Sequence, residues 1–254
     1  MLKVRVIPTL LWKDVGLVKG ERFDSWRRVG TVMPSIKVYN TREVDELILL
    51  DITATAGKRE PDYEAIDELA AECFVPLTFG GGILNLEIVR KVLRAGADKV
   101  AINSALYDNT RLVSETADKF GSQCVIASLD IKKTESNAWS CFSHSGTKPT
   151  GKDPVSFAQE LEKAGAGEIL LTSIERDGTM VGYDLEIIQK ISEVVNIPVI
   201  ASGGAGNYEH MFQALKAGAS AVAAAAIFHF TEQTPLEAKK YLRQKGIPVR
   251  HSQI

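Results

Sequence analysis

Two glycine-rich segments, each directly after a short apolar stretch, are the clearest candidates for ligand chemistry in this sequence. Gly80-Gly81-Gly82 follows residues 76–79, and Gly203-Gly204 follows residues 198–202. Glycine leaves backbone N–H groups uncovered and allows positive φ, so both segments are suited to bind phosphate oxygens through the main chain. Two such segments indicate a ligand that carries two phosphate groups.

The sequences around the two glycine segments align with each other, which indicates an internal duplication. Residues 95–101 align with residues 217–223, and residues 49–52 align with residues 170–173. Each half contains four runs rich in Val, Ile and Leu that alternate with stretches of helical period, a pattern typical of parallel strands joined by crossover helices. Eight such units predict a (β/α)₈ TIM barrel with the active site at the carboxyl ends of its strands. A doubly wound open sheet is the alternative.

The elements that must position these segments follow from the same patterns. The predicted strands cover residues 4–10, 47–52, 76–79, 99–102, 124–130, 168–173, 198–202 and 221–226. The clearest helices cover residues 86–95, 110–120, 154–164, 185–194, 208–217 and 235–245. Two connections are long, and long connections on this fold tend to carry function. We expect a mobile lid at residues 11–33 and a hairpin strand at residues 139–144.

Composition excludes several classes of function. The chain has 254 residues, 45% of them hydrophobic, and a net charge of −2. We therefore expect a single domain over residues 1–254 with no bias toward nucleic acid or anionic membranes. No apolar run approaches the roughly 18 residues that span a bilayer, which favours a cytoplasmic protein. The cysteine spacing and the positions of His144, His210, His229 and His251 fit no metal motif, so we expect neither a metal nor a cofactor.

Several short motifs run through both halves of the chain, namely Ile7-Pro8, Val18-Lys19-Gly20, Leu50-Asp51-Ile52-Thr53-Ala54, Gly80-Gly81-Gly82-Ile83, Arg176-Asp177-Gly178-Thr179, Gly182-Tyr183-Asp184 and Ala201-Ser202-Gly203-Gly204-Ala205-Gly206. Together they resemble the cyclase subunit of imidazole glycerol phosphate synthase, in register over nearly the whole chain. The resemblance implies that ammonia from a glutaminase partner travels along the barrel axis. At the active site the ammonia would react with a bisphosphorylated ribulosyl aminoimidazole carboxamide nucleotide and give imidazole glycerol phosphate and an aminoimidazole ribotide.

The resemblance also implies two catalytic aspartates, at the ends of strands one and five. Asp130 matches the second, but the duplication aligns Asp130 with Leu11 in the first half. Leucine cannot exchange a proton, and the loss of one positioned acid or base typically removes about 10²- to 10⁴-fold of rate. Full cyclase activity is therefore not expected, unless Asp14 or Asp51 replaces the missing group.

Two phosphate sites and further substrate contacts are implied by the same resemblance. Ala226 stands where the family has a small hydroxyl residue, so the second site lacks one side-chain donor. The first site consists of Gly82, Asn103 and Ser104, the second of Asp177, Gly178, Gly203, Gly204, Ala225 and Ala226, and Lys19 and Asp51 are further candidates for substrate binding.

Four charged residues each stand at the first position of an inner strand, two cations and two anions from alternating places around the barrel, namely Arg5, Glu46, Lys99 and Glu168. Charges inside a barrel must pair, so we expect a closed ring of salt bridges on the barrel floor. The resemblance implies that this ring gates ammonia and that Asp98 and Gln123, on the same face, dock the glutaminase. A purely structural plug is the alternative for the ring. The expected path above it is lined by Thr78, Ser202, Leu50 and Val222.

Several functions remain open on this sequence. The first is the ammonia-using synthase subunit, and the second is a divergent relative that passes ammonia to an enzyme amidating a surface-polysaccharide sugar, as in lipopolysaccharide synthesis. A non-catalytic scaffold that activates the glutaminase is the third. The fourth is a sugar-phosphate isomerase of histidine or tryptophan synthesis, which would need two acid/base groups and no channel.

Overall fold

The strands of the protein close into a parallel barrel. A computed structural model describes residues 3–250. Within these residues the strands are β1 Arg5–Lys13, β2 Gly16–Glu21, β3 Asp24–Gly30, β4 Leu47–Asp51, β5 Leu77–Gly80, β6 Lys99–Ile102, β7 Val125–Lys133, β8 Trp139–Ser143, β9 Lys148–Pro149, β10 Glu168–Ser173, β11 Val199–Ser202 and β12 Ala221–Ala224. Eight of them pair in the order β1, β4, β5, β6, β7, β10, β11, β12, and β12 pairs back to β1. The predicted TIM barrel is confirmed, and closure excludes the open sheet.

Helices follow the barrel strands and cover the outside of the sheet. They are α1 Val32–Thr41, α2 Tyr63–Ala71, α3 Leu86–Arg94, α4 Ser104–Asp108, α5 Arg111–Phe120, α6 Pro154–Lys163, α7 Leu185–Ser192, α8 Tyr208–Lys216, α9 Ala226–Phe230 and α10 Pro235–Gln244. Asn85, Asp153 and Asn207 accept the backbone N–H three residues on and so fix helix starts. The predicted strand at residues 221–226 is too long, because α9 begins at Ala226 and ends the extended chain at Ala224.

The first strand of each half carries an antiparallel extension. After β1 come β2 and β3, and after β7 come β8 and β9, each antiparallel to the strand before it. The equivalent extensions fit the internal duplication, and β8 confirms the hairpin strand expected at residues 139–144. Residues 11–33, however, are mostly β-strand, and the mobility expected of them stays a prediction. Strand β1 runs to Lys13 instead of residue 10, and buried Leu17 and Val18 anchor β2 on the barrel rim.

Side chains alternate between two cores. The barrel interior holds an apolar cluster, and a larger cluster lies between the sheet and the helices. Val222 belongs to the outer cluster, so its prediction as a channel residue is wrong. Successive strand side chains point to opposite faces, and it is Ala221 and Ala223 that face inward. The inner cluster consists of Ile7, Ile48, Ala101, Ile126, Leu170, Ile200, Ala221 and Ala223, with Leu50 packed against it.

Among residues 3–250, the helices are all too short or too polar to traverse a lipid bilayer.

Candidate active site at the barrel mouth

An open cavity at the carboxyl ends of the barrel strands brings most of the candidate residues together. Its volume, with the open mouth included, is about 1140 Å³. Both glycine segments reach it, which places the two halves of the duplication on opposite parts of one site. The predicted site residues that line it are Leu11, Lys19, Asp51, Gly82, Asn103, Ser104, Asp130, Asp177, Gly178, Ser202, Gly203, Gly204, Ala225 and Ala226.

Leu11 and Asp130 face the same space. On β1, Leu11 lies on the inward face with Ile7, and on β7, Asp130 lies on the inward face with Ile126. Both side chains line the cavity. The two positions related by the duplication therefore share the barrel mouth, but only Asp130 offers a group that can exchange a proton.

Asp130 has the environment of a group that titrates near neutrality. Burial, followed by the negative charge of Asp177, raises the pKa of Asp130 to about 7. The Asn103 amide donates to Asp130 Oδ2 at 3.2 Å and to the Ser128 carbonyl at 3.0 Å, which fixes both side chains. A carboxyl group with such a pKa can both donate and accept protons at neutral pH.

We expect the variant Asp130→Asn to raise the melting temperature at pH 8 and to have a much smaller effect at about pH 4. The raised pKa means that ionised Asp130 destabilises the fold. Neutral Asp130 therefore contributes its full stability below pH 3.8, the ordinary pKa of this carboxyl, and the contribution is lost as the pH rises through about 7. Melting curves of both proteins from pH 4 to pH 8 test this. A gain in melting temperature that did not depend on pH would contradict the raised pKa of Asp130.

Asp51 and Asp14, the two candidates to replace the group that Leu11 lacks, lie in different surroundings. Asp51 accepts backbone N–H groups of Thr53 and Ala54 at 3.0 and 3.1 Å, and Arg59 contacts its Oδ2 at 2.6 Å. Its carboxylate is thus committed to closing the loop after β4. Asp14 is exposed in the turn between β1 and β2 and is not part of the cavity lining.

Lys19 and Asp177 form a buried ion pair across the site. Lys19 Nζ lies 2.6 Å from Asp177 Oδ2, and the lysine side chain is only 1% exposed. The backbone N–H of Arg22 also donates to the Asp177 carbonyl at 2.8 Å. These contacts fasten the β2–β3 hairpin of the first half to the loop after β10 of the second half.

The glycine segments have the backbone that the sequence predicted. Gly81 and Gly82 have φ of 107° and 69°, and Gly203 and Gly204 have φ of 87° and 107°. A Cβ atom at Gly81 or Gly204 would lie 2.2 Å from a backbone carbonyl oxygen, so no other residue fits there. Beside the first segment stands the hydroxyl of Ser104, whereas Ala226 beside the second has none.

The charged ring forms at the opposite end of the barrel. Arg5 contacts Glu46 at 2.9 Å and Glu168 at 2.8 Å, and Lys99 contacts the same two carboxylates at 3.1 and 2.7 Å. All four side chains are close to nine-tenths buried. The predicted closed ring of salt bridges is confirmed as a structure.

Asp98 and Gln123 are exposed at this same end, before β6 and β7. The Asp98 carboxylate accepts the Leu77 N–H at 2.8 Å, and the Gln123 amide donates to the Phe120 carbonyl at 3.1 Å. Both side chains thus also have local structural roles.

Several cavity residues were not among the predicted site residues. Phe23 and Trp26 reach it from the β2–β3 hairpin, and Ser145 reaches it from the turn after β8. Thr9, Ser128 and Thr172 also line it. Strand alternation could have identified these three, since each lies on the inward face of its strand.

The histidines do not gather into a metal site in the described part of the chain. Within residues 3–250, no group of three or more His, Cys, Asp or Glu side chains is placed to hold a metal ion. His251 lies outside the described residues.

The fold and the cavity define a (β/α)₈ barrel built from two related halves, with its candidate site at the mouth. A family model described as histidine biosynthesis protein matches residues 5–234. The chain therefore belongs to this family of TIM-barrel enzymes, which includes isomerases and cyclases.

Proposed function

We propose that the chain is the ammonia-using barrel subunit of a cyclase-type complex within this family. A glutaminase partner docks at Asp98 and Gln123 and supplies ammonia at the barrel floor, and a phosphorylated substrate binds at the mouth. The main support for this proposal is the charged ring of Arg5, Glu46, Lys99 and Glu168. Four buried charges carry a desolvation cost that an apolar floor avoids, and an isomerase without a channel has no use for them.

Leu11 supports a second candidate within the same proposal. A cyclase needs two proton transfers, but Leu11 stands opposite Asp130 at the barrel mouth, Asp51 is held by the backbone of its own loop, and Asp14 lies outside the cavity. Ammonia that reaches the mouth would then pass to a separate enzyme that amidates a surface-polysaccharide sugar. In this reading the channel is retained and the cyclase chemistry is lost.

The variant Lys99→Ala tests the conduit. Nitrogen transfer is measured with glutamine plus the glutaminase, and separately with added ammonium, while free ammonia in the medium is assayed. We expect glutamine-driven transfer to fall or ammonia to leak several-fold more, because the ring loses one of its two cations. Lys190→Ala is the matched control, because it removes the cation of an exposed ion pair with Glu186 on helix α7. Unchanged transfer with full glutaminase stimulation would instead favour the scaffold hypothesis.

The phosphate sites should differ in strength. We expect inorganic phosphate to bind more tightly at Gly82 and Ser104 than at Gly204, because Ala226 offers no hydroxyl donor, a difference of about 1 kcal/mol. Crystals grown at increasing phosphate concentration would show the first site filling before the second. Ala226→Ser should remove the difference. Equal filling in the unmodified chain would show that backbone donors alone determine affinity.

A further inference from the structure

One half of the cavity wall lacks polar side chains that the other half carries at equivalent positions. The duplication makes the residues after β6 equivalent to those after β12, and α4 and α9 begin at the same distance from these strands. The residues just before the two helices also have similar φ, −120° and −127°. Three polar residues of one half are thus apolar in the other, namely Asn103, Ser104 and Asp130 against Ala225, Ala226 and Leu11.

The apolar positions adjoin one another. Strand β12 pairs with β1, so Ala225 and Ala226, directly after β12, lie on the element next to Leu11. On the other side of β1, Leu50 of β4 pairs in register with Leu11. All four residues line the cavity, and we call them the apolar wall. A ligand group that packs on this wall leaves water for an apolar surface, which favours an uncharged group.

One polar group at the foot of the apolar wall has no partner. Thr9 lies two residues before Leu11 on β1, so both side chains point to the same face of the sheet. Thr9 lines the cavity, the residue is 7% exposed, and its Oγ1 has no hydrogen-bond partner in the protein. A buried hydroxyl without a partner costs free energy, so a ligand that supplies one hydrogen bond here gains affinity.

The charges of the cavity favour a phosphate at only one end. Within residues 3–250, Lys19 is the one cation that lines the cavity, and Asp177 already neutralises it at 2.6 Å. A phosphate at the apolar wall would lose hydration and find backbone N–H groups there but no free countercharge. At the first site, Gly82 has a φ of 69° and Ser104 adds a hydroxyl, so a phosphate is better compensated there.

We propose that the mouth binds a phosphate monoester with one charged and one uncharged end. The phosphate lies at Gly82 and Ser104, and the uncharged end packs on the apolar wall with a single hydrogen-bonding atom on Thr9. The ligand therefore carries one phosphate, where the two glycine segments alone predict two. This inference deepens the proposed function and rests on it for its physiological meaning, but the binding itself requires neither ammonia nor a glutaminase.

Three ligands of equal chain length test the proposal by isothermal titration calorimetry on the full chain. They are hexyl phosphate, 6-hydroxyhexyl phosphate and hexane-1,6-diyl bisphosphate. We expect the bisphosphate to bind about tenfold more weakly than hexyl phosphate, because its second phosphate meets the apolar wall. The hydroxyl of 6-hydroxyhexyl phosphate gains a partner in Thr9, so this ligand should bind at least as tightly as hexyl phosphate. Tightest binding of the bisphosphate would overturn the proposal.

The variant Thr9→Val tests the hydrogen bond, because valine keeps the shape of threonine without its hydroxyl. It should weaken 6-hydroxyhexyl phosphate by about three- to tenfold and leave hexyl phosphate unchanged, whereas Thr9→Ser should retain both affinities. Thr116→Val is the matched control, since Thr116 Oγ1 is also buried without a partner but lies on α5, outside the barrel. Equal loss of both ligands in Thr9→Val would overturn the role of this hydroxyl.

Leu11→Asn and Ala226→Ser test the apolar wall. Each adds a polar group to it and should narrow the gap between hexyl phosphate and the bisphosphate by about threefold or more. Val15→Asn is the matched control, because Val15 is 78% exposed in the turn between β1 and β2 and does not line the cavity. An unchanged gap in both wall variants would overturn the proposal.

The outcomes distinguish this proposal from the proposed function. Should the three ligands rank as expected while the chain never couples to a glutaminase, the ligand class would stand and the proposed function would fail. Should glutamine-driven transfer be observed while the bisphosphate binds most tightly, the ligand class alone would fail.

Discussion

Replacing Leu11 with Asp is expected to raise imidazole glycerol phosphate formation from ammonium and the ribulosyl nucleotide by about 10²- to 10⁴-fold. The side chain at this position faces the cavity opposite Asp130, a carboxyl whose pKa is raised to about 7. The unmodified chain should therefore turn over slowly, and Leu11→Asp should supply the second proton-transfer group. Steady-state rates of both proteins at saturating ammonium measure the effect.

Leu11→Asn is the matched control, because it has the size and polarity of Asp but cannot exchange a proton at neutral pH. It should leave the rate low. If the unmodified chain already turned over briskly, the proton would have to come from another group. If Leu11→Asp and Leu11→Asn behaved alike, the limitation would lie elsewhere, and transfer of ammonia to a separate enzyme would become the better account.

Replacing Glu168 with Ala is expected to lower the free energy of unfolding by about 3–5 kcal/mol. Glu168 contacts both cations of the ring, at 2.8 Å for Arg5 and 2.7 Å for Lys99, and its removal leaves two buried charges with one carboxylate between them. Urea denaturation measures the loss. Glu186→Ala, which removes an exposed partner of Lys190, should cost less than about 1 kcal/mol.

The cost of Glu168→Ala should also depend on pH. Burial alone would raise the pKa of Glu168, but hydrogen bonds and charges from Arg5 and Lys99 outweigh it and hold the pKa below its ordinary value of 4.5. The stabilisation is therefore present above pH 4.5 and is lost as the pH falls through the lowered pKa. A difference between the two proteins that stayed constant down to acid pH would contradict an ionic role.

Much of the fold could be predicted because it depends on local patterns. Barrel strands alternate with helices in a regular period, and the duplication fixes which strands are equivalent, so the shared position of Leu11 and Asp130 followed from alignment alone. The charged ring followed from four charged residues, each at the start of an inner strand. In both cases the strand direction determines where the side chain points.

What could not be predicted depends on contacts between distant segments. The β2–β3 hairpin is held by the second half of the chain, through Lys19 and Asp177, and nothing in residues 11–33 alone indicates this. The role of Asp51 changes because Arg59 reaches its carboxylate. Val222 lies in the outer cluster and not in the channel, because a shift of one residue along a strand moves a side chain to the opposite face of the sheet.

The ion pair of Lys19 with Asp177 has a consequence for what can enter the mouth. Lys19 is almost wholly removed from water, so Asp177 serves as its internal counter-ion. A ligand that displaces Asp177 must bring equivalent negative charge, since otherwise the lysine would be left buried and unneutralised. Displacement of Asp177 by a ligand would be an exchange of anions and not a simple addition. A neutral sugar supplies no charge for Lys19 in such an exchange, whereas a phosphorylated sugar does.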